Sequence, residues 1–189
     1  MVEILKQRAQ FHSLADLTGD DWKICKEADG LYAEGHADRV MAHLKLLEGE
    51  PVSLAVDRLE HSLQTATRAC EAGRDEEYVV CALLHDIGDM LGTHNHAGIA
   101  AAILKPFVSE QNHWMILNHG IFQGYYYFEL DGLDRNARDK FRENPYFDAT
   151  EEFCRLYDQT SFDPNYKSMP LKSFEPMLRR VLQAPKPRS

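Results

Sequence analysis

The chain has 189 residues, enough for one domain of ordinary size and short for two independent cores. With 44% hydrophobic and 27% charged residues it can bury a core, which excludes a disordered or collagenous chain. Lys and Arg number 21 against 30 Asp and Glu, a net charge of −9. Such a surface repels phosphate backbones and anionic membranes, so neither nucleic acid nor membrane is expected as a partner, and an anionic substrate would need metal ions or individual arginines to hold it.

The opening MVEILKQRAQ lacks an apolar core and a small-residue cleavage site, and no stretch approaches the ~18–20 apolar residues of a membrane span. The expectation is one cytoplasmic domain over 1–189. Residues 1–50 mix polar and apolar positions, with turn signals at Thr18-Gly19-Asp20 and Asp29-Gly30. They predict short helices and loops packed over the functional site, with residues 51–183 as the helical core. From about Val52 the pattern becomes helical: Leu59, Leu63, Ala66 and Cys70 share one face, and His61, Thr65, Ala69 and Ala72 form a small-residue stripe on another.

Gly73 ends that helix, and Asp75-Glu76-Glu77 caps the next, whose Tyr78–Leu84 stretch is apolar without a break. This reads as a helix buried on all sides and leading directly into His85-Asp86. Further helices are expected at 95–105, stopped by Pro106, at 109–119 and 150–158, with Ser109 and Thr150 as caps, and at 173–183, before a loose APKPRS tail. The run Tyr125-Tyr126-Tyr127-Phe128 is short and has no partner strand. Cys25, Cys70, Cys81 and Cys154 are far apart with no CxxC, and read as small hydrophobes. The fold class is all-α.

Nine histidines are an excess, and their placement says more than their number. His61 lies mid-helix, His85-Asp86 closes a buried helix, His96 opens one, His119 closes one, and Asp158 closes another. Taken one at a time, a histidine on an apolar helix face is most often a hydrogen-bonded core residue. The His85-Asp86 pair is different: after a wholly apolar run it must be paired or coordinated, since burying it unsatisfied costs several kcal/mol. Imidazole and carboxylate suit iron, manganese or zinc, and four histidines with two aspartates are more than one ion usually takes.

The order His61, His85-Asp86, Asp158 resembles the H…HD…D signature of the HD-domain superfamily, an all-helical bundle that binds metal with those residues. The additional His96 and His119 match its six-ligand, two-metal branch, which includes myo-inositol oxygenase and the mixed-valent di-iron oxygenases that cleave the carbon–phosphorus bond of 1-hydroxyphosphonates. The similarity is closest to the latter, in the strings LEHSLQTA, ALLHDIGD and RLYDQ, and covers roughly residues 50–180.

The resemblance implies two irons, one held by His61, His85, Asp86 and Asp158, the other by Asp86, His96 and His119, with Asp86 as the bridge. It also implies an organophosphonate and O2 as the small-molecule partners. His12, His36, His43, His94 and His113 have no place in the pattern. Arg155 matches an arginine that contacts the phosphonate in that family, and its spacing from Asp158 predicts a shared helix face.

Two positions depart from the aminophosphonate oxygenase. Asp89 replaces the histidine of HDxGH and is the candidate acid–base residue, and Gln123 replaces a lysine. Tyr32, Glu34 and Asp38 could form a cage for a quaternary ammonium, since aromatic faces and carboxylates hold such cations. The expected reaction is cleavage of (2-trimethylammonio-1-hydroxyethyl)phosphonate by O2 to glycine betaine and phosphate. The alternatives are the same reaction on 2-amino-1-hydroxyethylphosphonate, giving glycine, or an HD-type phosphohydrolase using the same ligands. A degenerate HD domain acting as a binding module is the non-enzymatic alternative.

Overall fold

The computed structural model describes residues 7–49, 54–183 and 185–186. The start MVEILK, the boundary at 50–51 with Val52, and most of the APKPRS tail lie outside them. Among the described residues every regular element is helical.

A capping box starts α1 (Gly19–Glu34): the Thr18 side chain accepts from the Asp21 amide, and the Asp21 carboxylate accepts from the Thr18 amide. The helix so started continues through Asp29-Gly30, where the sequence predicts a turn, because one glycine in a helix costs only about 1 kcal/mol. Gly35 joins it to α2 (His36–Leu44). Val40, Leu44 and Leu47 are buried, and α2 packs on the C-terminal helix. The short turn Lys45–Leu47 rests on the helix that carries His61 and on the turn after the HD pair.

The centre is an antiparallel pair, α3 (Arg58–Glu71) and α4 (Glu76–Leu84). Asp57 caps α3 by accepting from the Glu60 amide at 2.7 Å. Ala66 and Ala69 are fully buried and let α4 approach closely. Of the buried polar residues of α3, Thr65 and Thr67 donate to the carbonyls of His61 and Leu63 one turn back, and Gln64 bonds the backbone of Asp163.

Asp75 caps α4 as expected, and every side chain from Tyr78 to Leu84 is buried. At ~1.5–3 kcal/mol for each fully buried large apolar side chain, this run carries the following His85-Asp86 into the interior. Helices α3, α7 and α9 pack around α4.

A turn and the four-residue α5 (Asp89–Gly92) lead into a hairpin of α6 (His96–Leu104) and α7 (Glu110–Gln123). Ser109 caps α7, and Glu77 of α4 accepts from both the Ser109 amide and the Asn112 side chain. Helix α7 runs to Gln123, past the expected end at 119. The aromatic run after it forms short 3-10 turns instead of a strand. Helix α8 (Phe147–Phe153) starts before Thr150, which lies inside it with its hydroxyl on the Tyr146 carbonyl. It then widens into a π-helical turn, Cys154–Asp158. Helix α9 (Leu171–Leu182) closes the bundle through Phe174, Leu178 and Leu182.

Cys81 and Cys154 are buried, Cys25 and Cys70 half-buried, and all four are free thiols. No described helix is long and apolar enough to cross a membrane.

Candidate metal centre

His61, His85, Asp86, His96, His119 and Asp158 come from five different parts of the chain and meet at one point between α3, α4, α6, α7 and the π turn. Five are nearly fully buried; His96 is the exception, its side chain 28% exposed. Three groups have ligand atoms close enough to hold an ion: His61, His85 and Asp86; His85, His119 and Asp158; and Asp86, His96 and His119. Asp86 belongs to two of them. Its Oδ2 is 3.6 Å from His61 Nε2 and 3.4 Å from His85 Nε2, and its Oδ1 is 3.4 and 3.3 Å from Nε2 of His96 and His119. One carboxylate therefore faces both halves of the cluster.

The four imidazoles are held alike. Each Nδ1 is within hydrogen-bond distance of a carbonyl oxygen: His61 to Ser161 at 2.9 Å, His85 to Ala82 at 2.8 Å, His96 to Thr93 at 3.1 Å and His119 to Ile116 at 2.7 Å. A carbonyl only accepts, so the proton sits on Nδ1 and the Nε2 lone pair is turned to the cluster, the arrangement typical of metal-binding histidine. For His85, His96 and His119 the acceptor is three residues earlier, so local chain geometry sets the orientation.

The residues fit a metal group. His61 Nε2 and His85 Nε2 lie 3.0 Å apart with their lone pairs converging, and Asp158 Oδ2 is buried without a hydrogen-bond partner. Both features are costly unless a cation sits between them. The donors are all nitrogen and oxygen, which suits iron, manganese or zinc.

The electrostatics agree. Burial alone would raise Asp158 and Asp86, but His61 and His85 hold the Asp158 carboxyl below the usual range, and His85, His119 and His61 do the same for Asp86. Burial alone would lower His61 and His85, yet the neighbouring aspartates raise both. Asp89 is raised, by burial first and then by the Asp86 charge.

A supporting layer surrounds the six. Phe162 stacks on the His61 ring at 4.4 Å, Phe153 packs edge-on against His85, and the Cys154 thiol donates to the His119 carbonyl. Gln123, four residues after His119, donates to Asp158 Oδ1 at 2.8 Å. Asp89 forms a very close ion pair with Arg58 and has Oδ1 3.3 Å from His96 Nδ1. Sequence reasoning missed Arg58; its place one turn before His61 on the same helix was the available signal.

The residues expected to contact substrate have other partners within the chain. Arg155 does not turn toward the ligands: its side chain is half-exposed and its Nε lies 3.1 Å from the Glu151 carboxylate. The expectation of a shared face assumed α-helical spacing, whereas the chain is π-helical from Cys154 to Asp158, and its wider turn rotates Arg155 away from Asp158.

Tyr32, Glu34 and Asp38 likewise lie beside arginines of the chain. The Tyr32 ring carries Arg39 at 3.7 Å, Asp38 pairs with Arg179, and Glu34 lies beside Arg179 in a groove against α9. The chain's own arginines already occupy the positions proposed for a ligand cation. His12, His36, His43, His94 and His113 stay outside the three groups, and His36 stacks on Phe107.

A family model for the HD domain matches residues 58–158, a span that begins at Arg58 and ends at Asp158. No curated protein matches the chain. With more than half its length matched, and with His61, His85-Asp86 and Asp158 gathered in one helical bundle, the chain belongs to the HD domain family.

Proposed function

We propose that this HD-type metal enzyme is a di-iron oxygenase that uses O2 to cleave the carbon–phosphorus bond of a 1-hydroxyphosphonate. The observation that carries the reading is the six-residue set with Asp86 shared between two groups, which suits two ions better than one. The choice of iron and of the reaction rests on the resemblance of LEHSLQTA, ALLHDIGD and RLYDQ to the phosphonate oxygenases.

In this reading His61, His85, Asp86 and Asp158 hold one iron, and Asp86, His96 and His119 the other. The pair, one Fe(II) and one Fe(III), supplies the one-electron and oxygen chemistry that no side chain can. The reaction balances without an external reductant. A C–H and the C–P bond break, O2 supplies the two added oxygen atoms, and a carboxylate, phosphate and one proton result.

The chain's own part is orientation and proton handling. Carbonyls fix the four imidazoles, and Gln123 fixes Asp158. Asp89 is the candidate acid–base residue, a buried carboxylate outside the six ligands whose Oδ1 comes within 3.3 Å of His96 Nδ1.

The family match itself favours a second reading, a dinuclear phosphohydrolase with the same ligands. One assay tests both: phosphate release from the trimethylated and unmethylated 1-hydroxy-2-aminoethylphosphonates, by iron-loaded, partly reduced protein, in air and without oxygen. Oxygen-dependent release is expected. Absence of release from both compounds, with oxygen-independent release from phosphate esters or nucleotides, would replace the oxygenase with the hydrolase.

A further inference from the structure

An anionic substrate in a protein of net charge −9 needs a fixed cation beside its reacting atoms. Several arginines are already committed: Arg155 to Glu151, Arg74 to Glu152, Arg179 to Asp38 and Glu175, Arg180 to Glu76. Among the described residues, Arg58 is the one lysine or arginine within ion-pairing distance of any of the six cluster residues. Its Nη1 lies 3.8 Å from Oδ2 of the shared Asp86 and contacts Asp89.

The guanidinium atom nearest to both Asp86 and Asp89 is the same one, Nη1. Nε and Nη2 have no hydrogen-bond partner among the described residues, yet neither is among the buried unpaired atoms, and the side chain is 28% exposed. The guanidinium is thus part-exposed beside the cluster, and its Nε and Nη2 have a donor spacing that matches two oxygens of one phosphoryl or phosphonyl group. Asp57, which caps α3, fixes where the helix begins and so where Arg58 stands relative to His61.

We propose that Arg58 is the anchor for the phosphorus oxyanion of the substrate, received on Nε and Nη2 while Nη1 stays on Asp86 and Asp89. The proposal rests on the reading of this site as one that acts on an organophosphorus anion, and it moves the anchoring role from Arg155 to Arg58.

The test is binding of inorganic phosphate to metal-loaded protein under nitrogen, followed by calorimetry, with metal content measured on the same samples. Arg58→Gln should keep the wild-type metal content and weaken phosphate about tenfold or more, as expected for loss of charge-assisted hydrogen bonds. Arg58→Lys keeps the charge but loses the fork, and should weaken it by about threefold. Arg155→Ala should bind phosphate as the wild type does.

Unchanged phosphate affinity in Arg58→Gln overturns the proposal, and so does loss of metal from that variant, which would make Arg58 a clamp on the ligands. Should Arg58→Gln fail to fold by circular dichroism, wild-type affinity in Arg58→Lys overturns it. A wild-type protein that binds no phosphate overturns it too. Arg58-dependent phosphate binding in a protein that turns over neither phosphonates nor esters would leave the anchor standing and remove the proposed reaction.

Discussion

Gly88, in the HDIGD string, is where backbone packing bears most directly on the cluster. It is buried, and a Cβ built there would lie 2.4 Å from the His96 carbonyl oxygen and 2.8 Å from both His96 Cα and Ile99 Cβ. Two of these three atoms are backbone of the first turn of α6, so no flexible side chain can move aside for all of them. Restoring ordinary contact in Gly88→Ala requires moving the start of α6 by about 1 Å. Overpacking of this kind costs about 1–3 kcal/mol.

The segment that must move carries His96, whose Nε2 sits 3.4 Å from Asp86. A 1 Å displacement is large against the few tenths of an ångström that metal–ligand bonds tolerate. The expected result in Gly88→Ala is therefore a folded protein, less stable to urea by about 1–3 kcal/mol, that binds the metal ion of the Asp86, His96 and His119 group far more weakly than the ion of His61 and His85. The assay is urea unfolding followed by circular dichroism, together with metal titration. Wild-type stability and two ions bound with wild-type affinity would refute the close-approach argument for Gly88.

In metal-free protein the raised His61 and His85 stabilise the fold below their ordinary value of 6.5, and that contribution is lost as pH rises through their folded values. Asp89, also raised, works in the same direction. The depressed Asp86 and Asp158 stabilise it above 3.8 and fail as pH falls through their folded values. The urea midpoint of metal-free protein should thus be higher near about pH 5.5 than near about pH 8.5, with metal reversing the order because ions need neutral imidazole; equal midpoints without metal would show that the histidine–aspartate contacts contribute nothing. Asp158→Ala and His96→Ala should each lose one ion and all turnover, and a variant that keeps both ions and its rate removes that residue from the centre. Arg155→Ala should change stability by less than about 1 kcal/mol and leave the KM for phosphonate unchanged, since it breaks an exposed pair; a raised KM would restore Arg155 as the anchor.

Much of this protein was legible from local pattern. The caps at Asp75 and Ser109, the unbroken apolar run Tyr78–Leu84 and the stop at Pro106 are decided within a turn or two of chain, and the helices formed where those signals stand. Burial of that run also dictates that His85-Asp86 lies inside, and an interior ionisable pair implies partners. The six cluster residues stand out together by their resemblance to the H…HD…D signature and its six-ligand branch, whereas the apolar pattern alone places only His85-Asp86 inside.

What sequence could not supply was direction. Whether Arg155 faces Asp158 depends on the π turn at 154–158, which no composition signal marks and which packs against both α3 and α7. Whether Tyr32, Glu34 and Asp38 are free to bind a ligand depends on Arg39 and on Arg179, the latter far away in the chain and brought in only when α9 packs on α2. Arg58 escaped notice for the same reason: its partners Asp86 and Asp89 are reached only across the packed α3–α4 pair. Helix starts, stops and burial follow from short-range chemistry and are written in the sequence. The partner a charged side chain finds is chosen by long-range packing, and only the tertiary structure decides it.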